Sequence, residues 1–166
     1  NDGAMDVFVG GRVIPGMYPV TPRSYLLSNN GKGQFTIVKT PFDSIGMVTD
    51  AQWVDLNKDG RKDLVICGEM MPVMVFINTP NGFVDKTKDY FDQPENGFWF
   101  SLNVTDLDGD GKPDLIAGNI GRNSPLQISD KEPAEMYYGD FDNNGTIDPF
   151  LNFYMDGKSY PFVSRD

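Results

Sequence analysis

The sequence predicts an all-β fold, and three observations lead to this prediction. An acidic nine-residue pattern, D-x-[DN]-x-[DN]-G-x-x-D, occurs as DLNKDGRKD (55–63), DLDGDGKPD (106–114) and DFDNNGTID (140–148). Short apolar runs flank each copy, and those before each copy have the two-residue period of a β-strand. No segment combines the 3.6-residue apolar period with capping residues, so we expect almost no helix.

Each acidic segment is expected to join two strands. The residues two and four positions upstream of the copies are apolar: Ala51 and Trp53, Leu102 and Val104, Met136 and Tyr138. Strand-like runs follow the copies and a partial copy at the chain start: VFVGG (7–11), LVICG (64–68), LIAGN (115–119) and PFLNF (149–153). Four further strands are predicted at 24–30, 34–39, 73–79 and 82–87, and an irregular connection is predicted at 119–134.

Units of roughly 40 to 50 residues with about four strands each are typical of β-propeller blades. The fragment DGAMD (2–6) matches the last five positions of the acidic pattern, which indicates a fourth, truncated copy. We therefore expect about three to three and a half four-stranded blades of an incomplete propeller. The predicted boundaries are a partial first blade at 1–46 with the truncated loop, a second at 47–90, a third at 91–133 with the irregular connection, and a partial fourth at 134–166.

A propeller needs at least four blades to close its ring. The chain is therefore expected to be a fragment of a larger protein. Its open strand edges would be covered by further blades of the parent chain or by another copy of the fragment.

Composition excludes several classes of function. With 14 Lys and Arg against 24 Asp and Glu, the formal net charge is -10, which argues against nucleic acid and anionic membranes as partners. The chain has no histidine, the commonest general base and zinc ligand. The single cysteine, Cys67, lies in an apolar run and is expected to be a buried, inert thiol. No apolar stretch approaches the roughly 18 residues that span a bilayer, so no membrane insertion is expected.

The acidic pattern predicts a calcium site. Asp or Asn at loop positions 1, 3 and 5 supplies side-chain oxygens, Gly at position 6 permits a sharp turn, and the carbonyl at position 7 and the carboxylate at position 9 complete the shell. An all-oxygen, flexible site suits Ca²⁺ better than Mg²⁺, so we predict two to three Ca²⁺ ions. The predicted ligands are Asp55, Asn57, Asp59, the Arg61 carbonyl and Asp63; Asp106, Asp108, Asp110, the Lys112 carbonyl and Asp114; and Asp140, Asp142, Asn144, the Thr146 carbonyl and Asp148.

An EF-hand is excluded, because its loop ends in a bidentate acid at position 12 and lies between helices. Position 12 here is Ile66, Ala117 or Leu151, and the predicted flanks are strands.

The segments VDLNKDGRKDLVICG, TDLDGDGKPDLIAGN and GDFDNNGTIDPFLNF resemble the FG-GAP or VCBS repeat, the calcium-loop blade also found in integrin α-subunit propellers. The segment beginning DVFVGGRVIPG resembles blades of large secreted or surface proteins of Bacteroidetes-type bacteria. The resemblance implies an extracellular, periplasmic or surface-anchored bacterial β-propeller that binds calcium structurally, through the ligands named above. The third loop departs from the family pattern at Asn144 and Pro149, so the third site is expected to be the weakest.

Three functions are compatible with the sequence. We favour a non-enzymatic scaffold that binds a protein or a glycan, as in adhesion. The first alternative is part of a calcium-dependent polysaccharide-degrading enzyme, although the available acids, Glu69, Glu95, Glu132 and Glu135, share no spacing that identifies a catalytic pair. The second alternative is a purely architectural repeat.

Two other groups of residues, aromatic residues and arginines, are candidate ligand-binding residues. Aromatic side chains are concentrated at Phe98, Trp99, Phe100, Tyr137, Tyr138, Phe141, Phe150, Phe153, Tyr154, Tyr160 and Phe162. We expect alternate ones to fill core between blades, and we favour this role over a sugar-stacking platform. Arg12, Arg23 and Arg122 could grip an anion, but we expect them to be solvated surface residues.

Overall fold

The computed structural model describes residues 3–120 and 128–162. The described chain is all-β, with one short helix, which confirms the predicted fold class. The elements are β1 (Val7–Val9), β2 (Tyr25–Asn29), β3 (Phe35–Val38), β4 (Met47–Val54), β5 (Asp63–Met71), β6 (Met74–Thr79), β7 (Gly82–Asp85), α1 (Thr87–Tyr90), β8 (Gly97–Thr105), β9 (Asp114–Asn119), β10 (Glu135–Gly139), β11 (Asp148–Met155) and β12 (Lys158–Pro161).

The chain divides into two compact units. Unit 1 comprises residues 1–12 and 21–119, and unit 2 comprises residues 13–20 and 120–166. Every strand pair in the described residues is antiparallel.

Unit 1 contains a sheet of order β1-β2-β3 and a larger sheet in which β4, β5, β6 and β7 form a meander. The end of β5 also pairs with β8, which pairs with β9. Antiparallel sheets of this kind are those from which propeller blades are built. The blade boundaries stay predictions.

Strand β5, inside the β4–β7 sheet of unit 1, is buried on both faces of the sheet, because its successive side chains point to opposite sides and both sides are covered. Leu64 and Ile66 belong to one core cluster, in which the ring of Phe42 makes edge-on contacts with the rings of Phe8, Phe76 and Phe83. Val65 and Cys67 belong to a second cluster on the opposite face. Cys67 is buried as expected, and burial raises the pKa of its thiol, which keeps it protonated and unreactive.

Strands were correctly predicted on both sides of every complete acidic segment, and four differences from the predictions are informative. The strand predicted at 82–87 ends at Asp85, because the Asp85 carboxylate accepts hydrogen bonds from the N–H (2.9 Å) and hydroxyl (2.6 Å) of Thr87 and turns the chain into α1.

The second difference is strand β12, which was not predicted. Its signal is the dipeptide Asp156-Gly157, whose positive φ values of 50° and 73° form a two-residue hairpin turn.

The third difference concerns the aromatic residues expected in core. Unit 2 contains the sheet β10-β11-β12. Its aromatic side chains are largely exposed, as are Phe141, Phe162 and, in unit 1, Phe100. A sheet buries a face only against a second layer, and alternation along a strand does not say whether that layer exists. Of the aromatic residues considered for core, Phe98, Trp99, Phe153 and Tyr154 are half-buried, whereas Phe100, Tyr137, Tyr138, Phe141, Phe150, Tyr160 and Phe162 are exposed and fill none.

The fourth difference concerns two of the arginines. Arg12 donates from Nε to Glu69 Oε1 at 2.9 Å, and Arg23 pairs with Asp43 at 3.2 Å and lies over the Tyr25 ring. Both arginine side chains are more than half exposed, as expected, but each also pairs with an acid of the chain. Arg122 lies outside the described residues. In the described parts of the predicted irregular connection, Asn119 is the last residue of β9, whereas residues 120 and 128–134 contain no strand or helix. No described helix is long and apolar enough to cross a membrane.

Candidate metal sites in the acidic loops

The three acidic segments occupy equivalent places in the fold. Loop 1 (55–63) joins β4 to β5, loop 2 (106–114) joins β8 to β9, and loop 3 (140–148) joins β10 to β11. In each pair the residue before the loop lies opposite the last loop residue, as in Val54 and Asp63 of loop 1. The strand register therefore closes every loop at the same point.

A common set of hydrogen bonds folds each loop. The N–H of the position-6 glycine donates to Oδ2 of the position-1 aspartate at 2.9, 2.8 and 2.9 Å in loops 1, 2 and 3. The position-2 N–H donates to Oδ2 of the position-9 aspartate at 2.9, 2.8 and 3.1 Å. The side-chain Oδ1 at position 3 accepts a hydrogen bond from the backbone N–H of position 5. The side-chain Oδ1 at position 5 accepts one from the backbone N–H of position 7. The predicted ligand positions are therefore oriented by the backbone itself.

The backbone also explains the glycine of the pattern. At position 6, φ is 83°, 78° and 85° in the three loops, a region open to glycine at little cost. Position 4 has positive φ as well, at Lys58, Gly109 and Asn143. The sequence pattern gives no signal for this second turn residue, because position 4 has no constant residue type.

Two loops bring three carboxylates together. One group is Asp106, Asp108 and Asp114, and the other is Asp140, Asp142 and Asp148; within each group, one ligand oxygen per residue lies within 4.8 Å of the others. Calcium binds oxygen at 2.3 to 2.6 Å, so ligands on opposite sides of the ion lie about 5 Å apart. Positions 1, 3 and 9 of loops 2 and 3 therefore fit a calcium ion in spacing and in donor chemistry. In loop 1 the position-3 ligand is the amide of Asn57, so the matching set has one carboxylate fewer.

Position 5 behaves differently from the other predicted ligands. In loop 1 Asp59 pairs with the Arg61 side chain, and in loop 2 Asp110 Oδ2 accepts from Lys112 Nζ at 2.9 Å. The pKa of Asp59 is lowered, first by the N–H of Arg61, and the pKa of Asp110 is lowered, first by the Lys112 ammonium. In loop 3 the uncharged Asn144 accepts from Thr146. A basic side chain at position 7 thus competes with a metal ion for the position-5 carboxylate in loops 1 and 2.

This competition predicts that Lys112→Gln strengthens calcium binding at loop 2 several-fold, because the substitution frees Asp110 and removes a nearby positive charge. The Lys112 main-chain carbonyl, a predicted ligand, is retained. Calcium titration calorimetry of the variant measures the effect. Lys88→Gln, which removes an equal charge from α1, serves as the control, and an unchanged affinity in Lys112→Gln contradicts the competition.

An asparagine that was not among the predicted site residues connects loop 1 to the rest of its sheet. Asn78 of β6 donates its N–H to Asp63 Oδ1 at 2.8 Å and its side-chain amide to the Lys62 carbonyl at 3.1 Å, and its own carbonyl accepts from Arg61 Nε at 2.7 Å. Asp63 is fully buried. The carboxylate of Asp63, at position 9 of loop 1, therefore accepts hydrogen bonds from two separate backbone segments, at Leu56 and at Asn78.

The same arrangement occurs at the truncated first loop. Asn29 of β2 donates its N–H to Asp6 Oδ1 at 2.9 Å and its side-chain amide to the Met5 carbonyl at 3.2 Å. We call this pair of bonds the asparagine clamp, formed by Asn29 with Asp6 and by Asn78 with Asp63. The signal was present in the sequence, since both asparagines lie near the end of a predicted strand just before a glycine turn, in SNNG and INTPNG.

Two of the acids considered for catalysis, Glu69 and Glu135, make side-chain contacts within their own units. Glu69 is buried and pairs with Arg12, and Glu135 accepts a hydrogen bond from the Tyr137 hydroxyl at 3.2 Å in unit 2. Glu69 and Glu135 therefore each have a partner that the structure supplies.

Comparison with known proteins agrees with the repeat and with its loops. A family model described as FG-GAP-like repeat matches residues 1–66 and again residues 55–117. Integrin alpha-IIb of Mus musculus is 30% identical over an aligned stretch of 92 positions that covers 49% of this chain. The chain spans 9% of the length of that integrin. The two family matches together include the truncated loop, loop 1 and loop 2.

Proposed function

The chain belongs to the FG-GAP-like repeat family, and from that premise we propose that it is a calcium-stabilised β-propeller module of a secreted or surface bacterial protein. In this proposal it acts as a non-enzymatic scaffold that binds a protein or a glycan.

The carboxylate groups of loops 2 and 3 carry the calcium part of the proposal. Each group places three acids at the turn between two paired strands, on the same hydrogen-bonded loop frame. Like charges held this close repel one another, and the repulsion opposes closure of the turn. A bound calcium ion would supply the opposing charge, so that Asp106, Asp108 and Asp114, and likewise Asp140, Asp142 and Asp148, would hold the strand ends together.

The role outside the cell is supported by the strength expected of such sites. Ligand that binds only the folded state stabilises it by RT ln(1 + [L]/Kd). At millimolar calcium a Kd near 10⁻⁵ M gives about 2.7 kcal/mol per site, whereas at cytosolic calcium the same site contributes almost nothing. The family is typical of extracellular and surface proteins, and the similarity to an integrin points to an adhesion-type module.

A matched pair of substitutions tests the calcium sites. Asp108 and Asn57 both occupy position 3, and each accepts the N–H of position 5 through Oδ1, at 3.0 and 3.1 Å. Only Asp108 brings a charge to a carboxylate group. In saturating calcium, Asp108→Ala is therefore expected to lower the melting temperature more than Asn57→Ala, and the difference should shrink in EDTA.

Counting bound ions gives a second readout of the same sites. We expect titration calorimetry to find at least two ions, with Asp108→Ala and Asp142→Ala each removing one. An absence of binding at millimolar calcium contradicts the calcium part of the proposal.

The scaffold part is tested separately, with a panel of immobilised glycans and a panel of soluble polysaccharides. Binding to a member of the glycan panel that is lost in EDTA supports recognition. Release of new reducing ends or unsaturated sugars from the polysaccharides contradicts a non-enzymatic role.

A further inference from the structure

The chain contains four Asn-Gly pairs, and pairs of this kind are chemically labile. They are Asn30-Gly31, Asn81-Gly82, Asn96-Gly97 and Asn144-Gly145. The backbone nitrogen that follows an asparagine can attack the side-chain amide carbon and expel ammonia, which makes asparagine a thermolabile residue. A glycine in the second place leaves that nitrogen unobstructed, because glycine has no Cβ. The surroundings of each pair therefore determine which one reacts.

Strand pairing restrains two of the four pairs. Gly82 and Gly97 are the first residues of β7 and β8, and each lies opposite a residue of the neighbouring strand. The attacking nitrogen has to rotate toward the amide carbon, and a paired strand must open locally before it can do so. The pairs Asn30-Gly31 and Asn144-Gly145 lie outside the strands, are exposed, and have glycine φ values of 75° and 85°.

The hydrogen bonds of the pair in loop 3 match the needs of this reaction. Asn144 Oδ1, where negative charge develops when the amide carbon is attacked, accepts from the N–H (2.8 Å) and the hydroxyl of Thr146. The N–H of Gly145, which carries the nucleophile, donates at 2.9 Å to Oδ2 of Asp140, a carboxylate that can accept its proton. The departing nitrogen, Asn144 Nδ2, donates to Asp142 Oδ2 at 3.0 Å.

The other exposed pair has no carboxylate at the corresponding place. The N–H of Gly31 donates to Asn29 Oδ1 at 3.0 Å, and this oxygen belongs to a neutral amide. Asn30 Oδ1 does accept two N–H groups, from Lys32 at 2.9 Å and from Gln34 at 3.3 Å. The two pairs therefore differ mainly in the group that accepts the proton of the attacking nitrogen, and an amide oxygen is a far weaker base than a carboxylate.

We propose that Asn144 is a site of spontaneous deamidation, and that a calcium ion in loop 3 suppresses the reaction. The Gly145 nitrogen bonds to Cγ of Asn144 while its proton moves to the Asp140 carboxylate. The proton then passes to Nδ2, the Cγ–Nδ2 bond breaks, and ammonia leaves behind a five-membered succinimide ring. Water opens the ring at either carbonyl, which leaves aspartate or isoaspartate at position 144.

The calcium dependence rests on the function proposed above. Asn144 is a predicted ligand at position 5 of loop 3, and a bound ion would hold its amide oxygen in the ligand position. Ring closure requires Cγ to move toward the Gly145 nitrogen, so an ion that fixes the side chain opposes the reaction. Deamidation would therefore accumulate in protein that has lost its calcium.

The two products have opposite effects on loop 3. Aspartate at position 144 gives carboxylates at loop positions 1, 3, 5 and 9, the set that loop 2 already has. Position 7 of loop 3 is Thr146, so no basic side chain there competes with an ion for the new carboxylate. Isoaspartate instead adds one carbon to the main chain, which displaces Gly145 from its turn and opens the loop.

The test follows deamidation directly. The 166-residue protein is incubated in EDTA at neutral pH, and peptide mapping by mass spectrometry measures the amide lost at each Asn-Gly pair over time. Asn144 is expected to react several-fold faster than Asn30, and Asn30 faster than Asn81 and Asn96. Saturating calcium should slow the reaction several-fold at Asn144 and leave the rate at Asn30 unchanged. An isoaspartyl methyltransferase distinguishes isoaspartate from aspartate in the products.

Two substitutions test the hydrogen bonds of loop 3. Thr146→Val removes the hydroxyl donor but keeps the main-chain N–H and carbonyl, and Asp140→Asn removes the proton acceptor. Each should slow deamidation of Asn144 in EDTA several-fold. Thr79→Val is the matched control, because its hydroxyl accepts the N–H of Asn81 in a different Asn-Gly turn, so the rate at Asn144 should not change. Thermal melting verifies that each variant is folded.

Asn144→Asp reproduces one product without the reaction. Titration calorimetry should find that this variant binds calcium at loop 3 several-fold more tightly than the native protein, since the loop then has one more carboxylate.

The outcomes separate the modification from the calcium site. A rate at Asn144 no greater than that at Asn30, or a rate that neither Thr146→Val nor Asp140→Asn lowers, overturns the modification site. Equal rates at Asn144 in calcium and in EDTA overturn the calcium dependence, and with it the calcium site of loop 3, while the modification itself stands.

Discussion

Removing calcium with EDTA is expected to lower the free energy of unfolding by about 5 kcal/mol relative to millimolar calcium, if loops 2 and 3 each bind with a Kd near 10⁻⁵ M. For a chain of this size that change corresponds to a fall of about 10 to 20 °C in melting temperature. The physical reason is that the two carboxylate groups hold like charges within 4.8 Å of one another and lose the ion that offsets their repulsion. Differential scanning calorimetry with and without EDTA measures the effect.

Two controls separate this effect from a general influence of divalent ions. Magnesium added after chelation should restore little stability, because Mg²⁺ prefers a stricter octahedral site and retains its water. A protein with both Asp108→Ala and Asp142→Ala should lose most of the difference in melting temperature between the two conditions, since only loop 1 keeps its ligands. Equal melting of the native protein in the two conditions contradicts the calcium sites.

Asp63→Ala is expected to destabilise the protein by about 3 to 4 kcal/mol even in EDTA. Asp63 is fully buried, and its two oxygens accept the N–H groups of Leu56 at 2.9 Å and Asn78 at 2.8 Å. Each buried donor left without an acceptor costs about 1 to 3 kcal/mol. Urea unfolding in EDTA measures the loss without any contribution from metal binding.

The equivalent residue of loop 2 provides the control for this prediction. Asp114 is at the same position, is only half-buried, and accepts the N–H of Leu107 at 2.8 Å. In EDTA, Asp114→Ala should therefore cost clearly less than Asp63→Ala. Equal losses at the two positions would show that the asparagine clamp contributes nothing to stability.

Local patterns predicted the strands and loops well because the causes of these elements are local. The strands before Asp55, Asp106 and Asp140 were found because alternating apolar residues are a property of the strand itself. The turn at the position-6 glycine was found because positive φ is open to that residue at little cost. The hairpin at Asp156-Gly157 carried an equally local signal and could have been predicted in the same way.

The remaining features depend on residues that are distant in sequence. Asp63 and Asn78 are brought together by the pairing of β5 with β6, so neither residue alone reveals the asparagine clamp. The pairing of Asp110 with Lys112 is close in sequence, yet only the folded loop shows that the ammonium occupies the oxygen that a metal ion would use. A sequence pattern identifies side chains that can bind a metal ion. Whether those side chains are available depends on the other residues that they contact in the folded loop.

From the residues alone it follows that this chain is all-β, that it repeats a strand, loop and strand unit, and that acidic side chains are concentrated at each loop. These properties follow from side-chain alternation and turn geometry within a few residues. The tertiary structure decided which faces of the sheets are buried, since burial requires a second layer from elsewhere in the chain. It therefore decided that Phe42 and Cys67 lie in the core while Tyr137 and Phe150 remain exposed, although all four are apolar or aromatic residues in a β-rich chain.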